Sequence, residues 1–252
     1  STPIILMVIL GVAGMIIPVI NVVRKERGSS TFYGAIAFGA LLLALGFVIF
    51  QFYDDNLAPA AIFSEDVLVD DGFGSFFAIA MLIVSIMTVA GSFNYMRKKS
   101  NPAIYFSLIL LSSIGMVLIA FATDLVMLFV AWELMSIPTY ILAGFNKKNP
   151  SSNEAAIKYF LFGALSSGII IYGISLAYGI TGSTNIGDVI YGFASLSPDM
   201  LPLGLLAIGM FIAGFGFKMG LVPFHMWLPD TYEGSPPTIT ALLAAGTKKA
   251  GF

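Results

Sequence analysis

Seven stretches of this chain, at 3–23, 31–52, 72–95, 102–121, 124–145, 153–180 and 200–221, are each about twenty residues or more of almost unbroken apolar sequence. The hydrocarbon core of a bilayer is about 30 Å thick, and about 20 residues of helix cross it. Only helices and closed barrels satisfy their own backbone groups there. The chain therefore reads as all-α, a polytopic membrane bundle of about eight helices. The eighth block begins near Pro237 and is still running at Phe252. Its length gives only about 24 Å of helix, so the natural protein is expected to continue. The first block has no basic n-region and is followed by Arg24, Lys25, Glu26 and Arg27 rather than a small-residue cleavage site. It reads as a retained helix, not a signal peptide.

The remaining composition narrows function by exclusion. Only 10% of residues are charged and the net charge is −2, with no basic stripe of the kind a nucleic-acid binder needs. The chain has no cysteine and one histidine, His225. That removes disulfides, Cys-ligated iron–sulfur clusters, structural zinc and bis-histidine haem from this chain. No Gly-rich phosphate loop is present, so no nucleotide or flavin site is indicated. The expectation is a chain with no cofactor or metal of its own.

Charge placement sets an orientation. Eight of the 12 Lys and Arg fall in three alternate loops: Arg24, Lys25 and Arg27; Arg97, Lys98 and Lys99; Lys147 and Lys148. The loop before the third helix holds Asp54, Asp55, Glu65, Asp66, Asp70 and Asp71 and no base. The positive-inside rule puts the basic loops in the cytoplasm and the N-terminus outside. The longest loops, 53–71 and 181–199, then lie outside with room for small capping elements.

Four bases remain, Lys158, Lys218, Lys248 and Lys249, all within or bordering apolar spans, and Glu133 joins them midway along the fifth. Each charge at mid-bilayer costs about 2.5–3.5 kcal/mol on insertion scales. Five unpaired charges would cost on the order of 12–17 kcal/mol, as much as the whole stability of a protein. They must face one another, a partner or water. An interior chain of ionisable groups suits proton passage, and a buried pair that only locks helices together is the plainer alternative. Pro138 follows Glu133 by five residues and favours a kink one turn from the acid.

The other candidates differ in what else explains them. Lys158 lies about one turn into its span, four residues after Glu154, the favoured ion-pair spacing. Ser151 and Glu154 read as a capping box at that helix start. Local pairing and proton relay both stay open for Lys158. The apolar stretch from Met200 runs on to Leu228, too long for one straight crossing, and Gly220 and Pro223 mark a break. The break carries Lys218 toward the membrane centre, near His225. His225 is either a hydrogen-bonded structural residue or a relay tunable near neutral pH. Lys248 and Lys249 point about 100° apart on a helix and cannot both face one cavity.

Three stretches then carry a resemblance: 132–140 (WELMSIPTY), 153–159 (NEAAIKY) with 163–167 (GALSS), and 216–236 (GFKMGLVPFHMWLPDTYEGSP). They resemble the antiporter-like membrane subunits of respiratory complex I, closest to the N-type subunit of bacterial and archaeal NADH-type and reduced-deazaflavin dehydrogenases. The third stretch is long and specific, and the resemblance covers roughly residues 70–252. It implies about fourteen helices in two inverted five-helix repeats, with a three-helix segment at 1–101 and a first, truncated repeat at 102–252. It also implies a proton half-channel in which Glu133 tunes Lys218 and Lys218 stores the proton. Lys158 and His225 would link Lys218 to the cytoplasmic inlet, and Lys248 would pass the proton onward. Lys249 departs from the pattern, which has an apolar residue there, and spacing from Lys218 favours Lys248.

The resemblance further implies a non-redox subunit of a proton-translocating oxidoreductase in an energy-transducing cytoplasmic or inner membrane. Its complex would couple quinone-type or phenazine-type reduction to pumping. Flavin and iron–sulfur clusters would sit in peripheral redox partners, and neighbouring antiporter-like subunits and lipid would surround this chain. The alternative is a subunit of a multi-part sodium/proton antiporter with the same helices and charges. Its weakness is that Asp124 and Glu133 are the only acids well placed, whereas hard cations take several oxygens. A third class is an inert spacer whose buried ion pairs only fix helix packing.

Overall fold

The computed structural model describes residues 2–24, 29–53, 67–97 and 99–251. Lys25, Arg27, Lys98 and the acids Asp54, Asp55, Glu65 and Asp66 lie outside them. Among the described residues seven helices are long and apolar enough to cross a membrane. They are α1 (Thr2–Val23), α2 (Ser30–Tyr53), α3 (Gly72–Met96), α4 (Pro102–Phe121), α5 (Leu125–Ala143), α6 (Pro150–Thr181) and α8 (Leu201–Met219). A short α7 (Ile186–Ala194) occupies the long loop before α8, as the loop's length allowed. After α8 come α9 (Leu228–Gly234), α10 (Pro237–Leu242), a π-helical turn (Leu243–Thr247) and α11 (Lys248–Ala250).

The helix starts are set by short polar side chains that accept the first free N–H groups. Asp71 accepts from Gly74 N at 2.7 Å to open α3, and Asp124 accepts from Val126 and Met127 at 2.8 and 2.9 Å to open α5. At α6 the expected Ser151–Glu154 capping box does not form. Asn149 is the cap, accepting from Ser151 N at 3.1 Å, and Pro150 takes the first helical position. Proline fits that position because its missing N–H is one the helix leaves unpaired, so the helix begins two residues earlier and Ser151 lies inside it.

Helix α4 is the hub: fourteen of its twenty residues are buried, and it packs against α1, α2, α3 and α5. One buried cluster runs from Leu6 and Leu41 through Phe106 to Tyr140 and Trp227, across residue 101. The outer surface is apolar, with Met15, Val19, Leu43, Leu165 and Ile212 all more than 60% exposed. Lipid tails are as apolar as leucine, so association inside the bilayer rests on close packing and interhelical hydrogen bonds. Ser107 Oγ donates to Gly14 O at 2.5 Å between α4 and α1, and Ser113 Oγ to Ser85 Oγ at 2.8 Å between α4 and α3.

The two ends of the bundle differ in charge. At one end Val69 N bonds Phe121 O, Thr123 N bonds Val67 O, and Leu125 N bonds Thr184 O. Asp70, held by Thr2 N and Thr2 Oγ1 at 2.7 Å each, and Asp71, Asp124 and Asp188 sit there. The α1/α2, α3/α4 and α5/α6 connections, with Arg24, Arg97, Lys99, Lys147 and Lys148, form the opposite end.

Gly115 is where α4 and α5 touch most closely: a Cβ there would meet Met135 N and Ala131 O, which are backbone atoms. Gly115→Ala should therefore force the helices apart and destabilise the fold by about 1–3 kcal/mol, the usual cost of overpacking. The expected readout is a lower melting temperature in detergent, and an unchanged one would contradict this packing.

Candidate functional site

Midway along α5, Glu133 faces Lys218 near the end of α8. Lys218 Nζ lies 3.2 Å from Glu133 Oε1, 3.2 Å from Ser136 Oγ and 3.1 Å from Tyr140 Oη. Glu133, Ser136 and Tyr140 stand at i, i+3 and i+7, one face of α5. An ammonium has three hydrogens to donate, and three acceptors meet it. The lysine side chain is only 5% exposed and the carboxylate 24%. The ring of Tyr140 also lies 5.7 Å from Nζ, centroid to nitrogen.

Local sequence produces this geometry. Gly220 ends α8 in the left-handed region, at φ 66°, a conformation that costs glycine least. Leu221 N returns to Gly216 O at 2.8 Å, the long hydrogen bond of a Schellman ending. The break expected around Gly220 and Pro223 is therefore present, and residues 222–227 form turns before α9. Pro138 lies within α5, which continues to Ala143. Beyond the break, Trp227 donates Nε1–H to Phe217 O at 3.0 Å and stacks on Tyr159 at 4.7 Å. Tyr159 in turn packs edge-on against Tyr140, the ring whose hydroxyl accepts from Lys218.

Helix α6 supplies the other contact to the acid. Ser167 Oγ donates to Glu133 Oε1 at 2.5 Å and has Gly163 O within reach at 2.9 Å. One hydroxyl hydrogen thus has two acceptors, one charged and one neutral. Gly163 is required beside it, because a Cβ there would meet the Tyr140 hydroxyl.

The other sequence candidates are placed apart from this pair. Lys158 makes two ion pairs, with Glu154 at 2.6 Å and with Asp230 on α9 at 2.5 Å, and its side chain is 36% exposed. His225 is exposed in the turns between α8 and α9 and is not among the hydrogen-bond partners of Lys218. Lys248 is half-buried just after the π-helical turn. Lys249 is exposed and lines a cavity of about 420 Å³ with Trp132 and Phe215. A π-helical turn adds a residue to the helical register, so it bears directly on which of the two lysines points inward. Sequence reasoning missed Ser136, Tyr140, Ser167 and Asp230 as partners. The polar stripe at 133, 136 and 140 on an apolar helix was the available signal. Asp230 had none, since α9 lies far from α6 in sequence.

Residues 122–252, just over half of the chain, match the transmembrane family described as NADH:quinone oxidoreductase/Mrp antiporter. F(420)H(2) dehydrogenase subunit N of Methanosarcina mazei is 44% identical over 191 residues, covering 76% of this chain and 38% of that protein. NADH-quinone oxidoreductase subunit N of Desulfitobacterium hafniense is 41% identical over 254 residues, covering 98% and 48%. A chain of respiratory complex I from Thermus thermophilus superposes with a TM-score of 0.77 at 31% identity, covering 98% of this chain and 51% of that one. This chain spans about half the length, or less, of the curated relatives it matches.

The buried pair makes a quantitative prediction. Glu133→Gln should cost about 3–5 kcal/mol by stranding a buried ammonium, whereas Glu133→Gln with Lys218→Met should cost less than Glu133→Gln alone. Denaturant unfolding in detergent of the single and double variants measures this. Additive losses would mean that the two groups do not stabilise each other.

Proposed function

Because the chain belongs to the transmembrane family of NADH:quinone oxidoreductases and Mrp antiporters, we propose that it is a proton-translocating membrane subunit of a multi-subunit respiratory dehydrogenase. The observation that carries this reading is the Glu133–Lys218 pair, a carboxylate and an ammonium 3.2 Å apart in the membrane interior. Lys218 holds the transferable proton and Glu133 governs how tightly. While Glu133 is charged and close, the ammonium keeps its counter-ion. When that charge is withdrawn or neutralised, a buried ammonium loses its main stabilisation and releases the proton. Ser167 supports this role, because its hydroxyl can leave the carboxylate for Gly163 O as Glu133 changes state.

Lys158, bridged to Glu154 and Asp230 near the basic end, is assigned to the inlet side together with His225. Lys248 is assigned to onward passage. The basic end faces the cytoplasm by the positive-inside rule, with the N-terminus outside. The redox step, with its flavin, iron–sulfur clusters and quinone-type or phenazine-type acceptor, belongs to partner subunits, and this chain contributes no electron transfer. A sodium/proton antiporter subunit is less well supported. Asp124, the second acid such a site would use, has its carboxylate taken by the α5 cap and the Thr184 hydroxyl. It also stands nine residues from Glu133 on the same helix, about 13 Å along the axis.

Lys218→Ala, compared with the natural protein at equal amounts of assembled complex, should reduce coupled proton translocation by about a hundredfold or more, in the range a lost proton-transfer group produces. Pumping is measured in inverted membrane vesicles with a pH-sensitive dye. Normal pumping by this variant would overturn the assignment.

A further inference from the structure

The segment that leads into Lys248 departs from α-helical geometry. Residues Leu243–Thr247 form a π-helical turn, and the backbone N–H of Lys248 reaches back five residues to Leu243 O. A π turn adds one residue to the register, which rotates every later side chain by about 100°. With α10 in place, an unbroken α-helix would give Lys248 the direction that Lys249 now holds, beside the cavity lined by Trp132 and Phe215. As built, Lys248 is half-buried and Lys249 is exposed.

Side chains hold this turn from two sides. Thr247 is buried, and its hydroxyl donates at 3.2 Å to Leu243 O, the carbonyl that already accepts from Lys248 N. In an α-helix that carbonyl would take the Thr247 N–H; here the Thr247 hydroxyl stands in its place. Tyr159 on α6, 5% exposed, faces the Thr247 hydroxyl with its own. The same Tyr159 hydroxyl meets Thr139 Oγ1 on α5 at 3.3 Å. Thr139 donates to Ser136 O at 2.7 Å. Both threonine hydrogens therefore go to carbonyls, and the Tyr159 hydrogen serves the two threonine oxygens. On the other side Gly246 seats the turn, since a Cβ there would meet Met116 Sδ and Val84 Cγ1.

Tyr159 also touches the charged site, because its ring packs edge-on against Tyr140, whose hydroxyl accepts from Lys218. One buried side chain thus reaches both the Lys218 site and the turn that aims Lys248. We propose that Tyr159 is a positioning residue, whose hydroxyl keeps Thr247 on Leu243 O and so holds the π register that turns Lys248 inward. The consequence for pumping rests on the proton-translocation reading, in which Lys248 passes the proton onward; the register itself does not.

The test uses the intact complex. Lys248→Cys and Lys249→Cys are each read by maleimide labelling with peptide mapping, and residues 1–252 hold no cysteine to compete. Lys248→Cys should label about tenfold more slowly than Lys249→Cys, because thiol reactivity follows exposure. Adding Tyr159→Phe, which keeps the ring and removes the hydroxyl, should erase that difference. At equal amounts of assembled complex, Tyr159→Phe and Thr247→Val should each lower coupled pumping by about a hundredfold, as a misplaced group does. Thr247→Ser, which keeps the hydroxyl, should pump normally. Where Tyr159→Phe does not assemble, Thr247→Val carries the same labelling comparison. Labelling of Lys248→Cys that is indifferent to the loss of either hydroxyl would overturn the proposal. So would normal pumping by Tyr159→Phe where Lys218→Ala is inactive, or a Thr247→Ser variant as impaired as Thr247→Val. Normal pumping by Lys218→Ala would overturn the proton-translocation reading instead, and the labelling would still decide the register.

Discussion

A single ammonium in the membrane interior sets how α5, α6 and α8 meet. Lys218 is 5% exposed at its side chain, and such a charge is tolerated only with a counter-charge and a full set of acceptors. Helix α5 provides all three, from Glu133, Ser136 and Tyr140 on one face. That demand favours one rotation of α5 about its axis, while α8 packs on α6 and reaches α5 through the lysine side chain. Helix α6 then closes the site by giving the Ser167 hydroxyl to the carboxylate.

The surrounding architecture follows from making that meeting possible. Helix α8 must end near the lysine, and Gly220 lets it do so with its last carbonyls bonded. The chain then doubles through 221–227, where Trp227 returns to the Phe217 carbonyl and stacks on Tyr159. This packing buries the Trp227 end of the segment, whereas Leu221, Val222, His225 and Met226 are exposed. Gly163 keeps α6 close to Tyr140, and Gly234 keeps α9 close to the Ser151 carbonyl, which brings Asp230 within reach of Lys158. The neighbouring ion pairs of Lys158 with Glu154 and Asp230 are thus positioned by close glycine packing.

Much of this was readable before any coordinates. The apolar blocks match the seven long helices to within a few residues at each end, because nothing but a helix of that length crosses a bilayer alone. Gly220 and Pro223 announced the broken helix. The cost of buried charge demanded partners for Glu133 and Lys218 without saying that each was the other's; the family resemblance supplied that. Ser136, Tyr140 and Ser167 were less visible because hydroxyls are common in membrane helices and only rotation about the axis decides where they point. The start of α6 was misread because Asn149 and Ser151 are both good caps, and Pro150 between them decides for the first. The π-helical turn at Leu243–Thr247 is a shift of backbone hydrogen bonds in residues that would serve equally well in an α-helix.

Proton translocation by this pair requires Glu133 to change its charge state while Lys218 holds and releases a proton. Difference infrared spectroscopy of the intact complex, before and after adding its electron donor, reads this directly at the carboxylate stretch, with Glu133→Gln assigning the band. A Glu133 carboxylate band should change on reduction, be absent in Glu133→Gln and be altered in Lys218→Ala. A Glu133 band identical in resting and reduced complexes would mean that the pair is a fixed structural lock, and the proton-translocation assignment to Lys218 would fall with it.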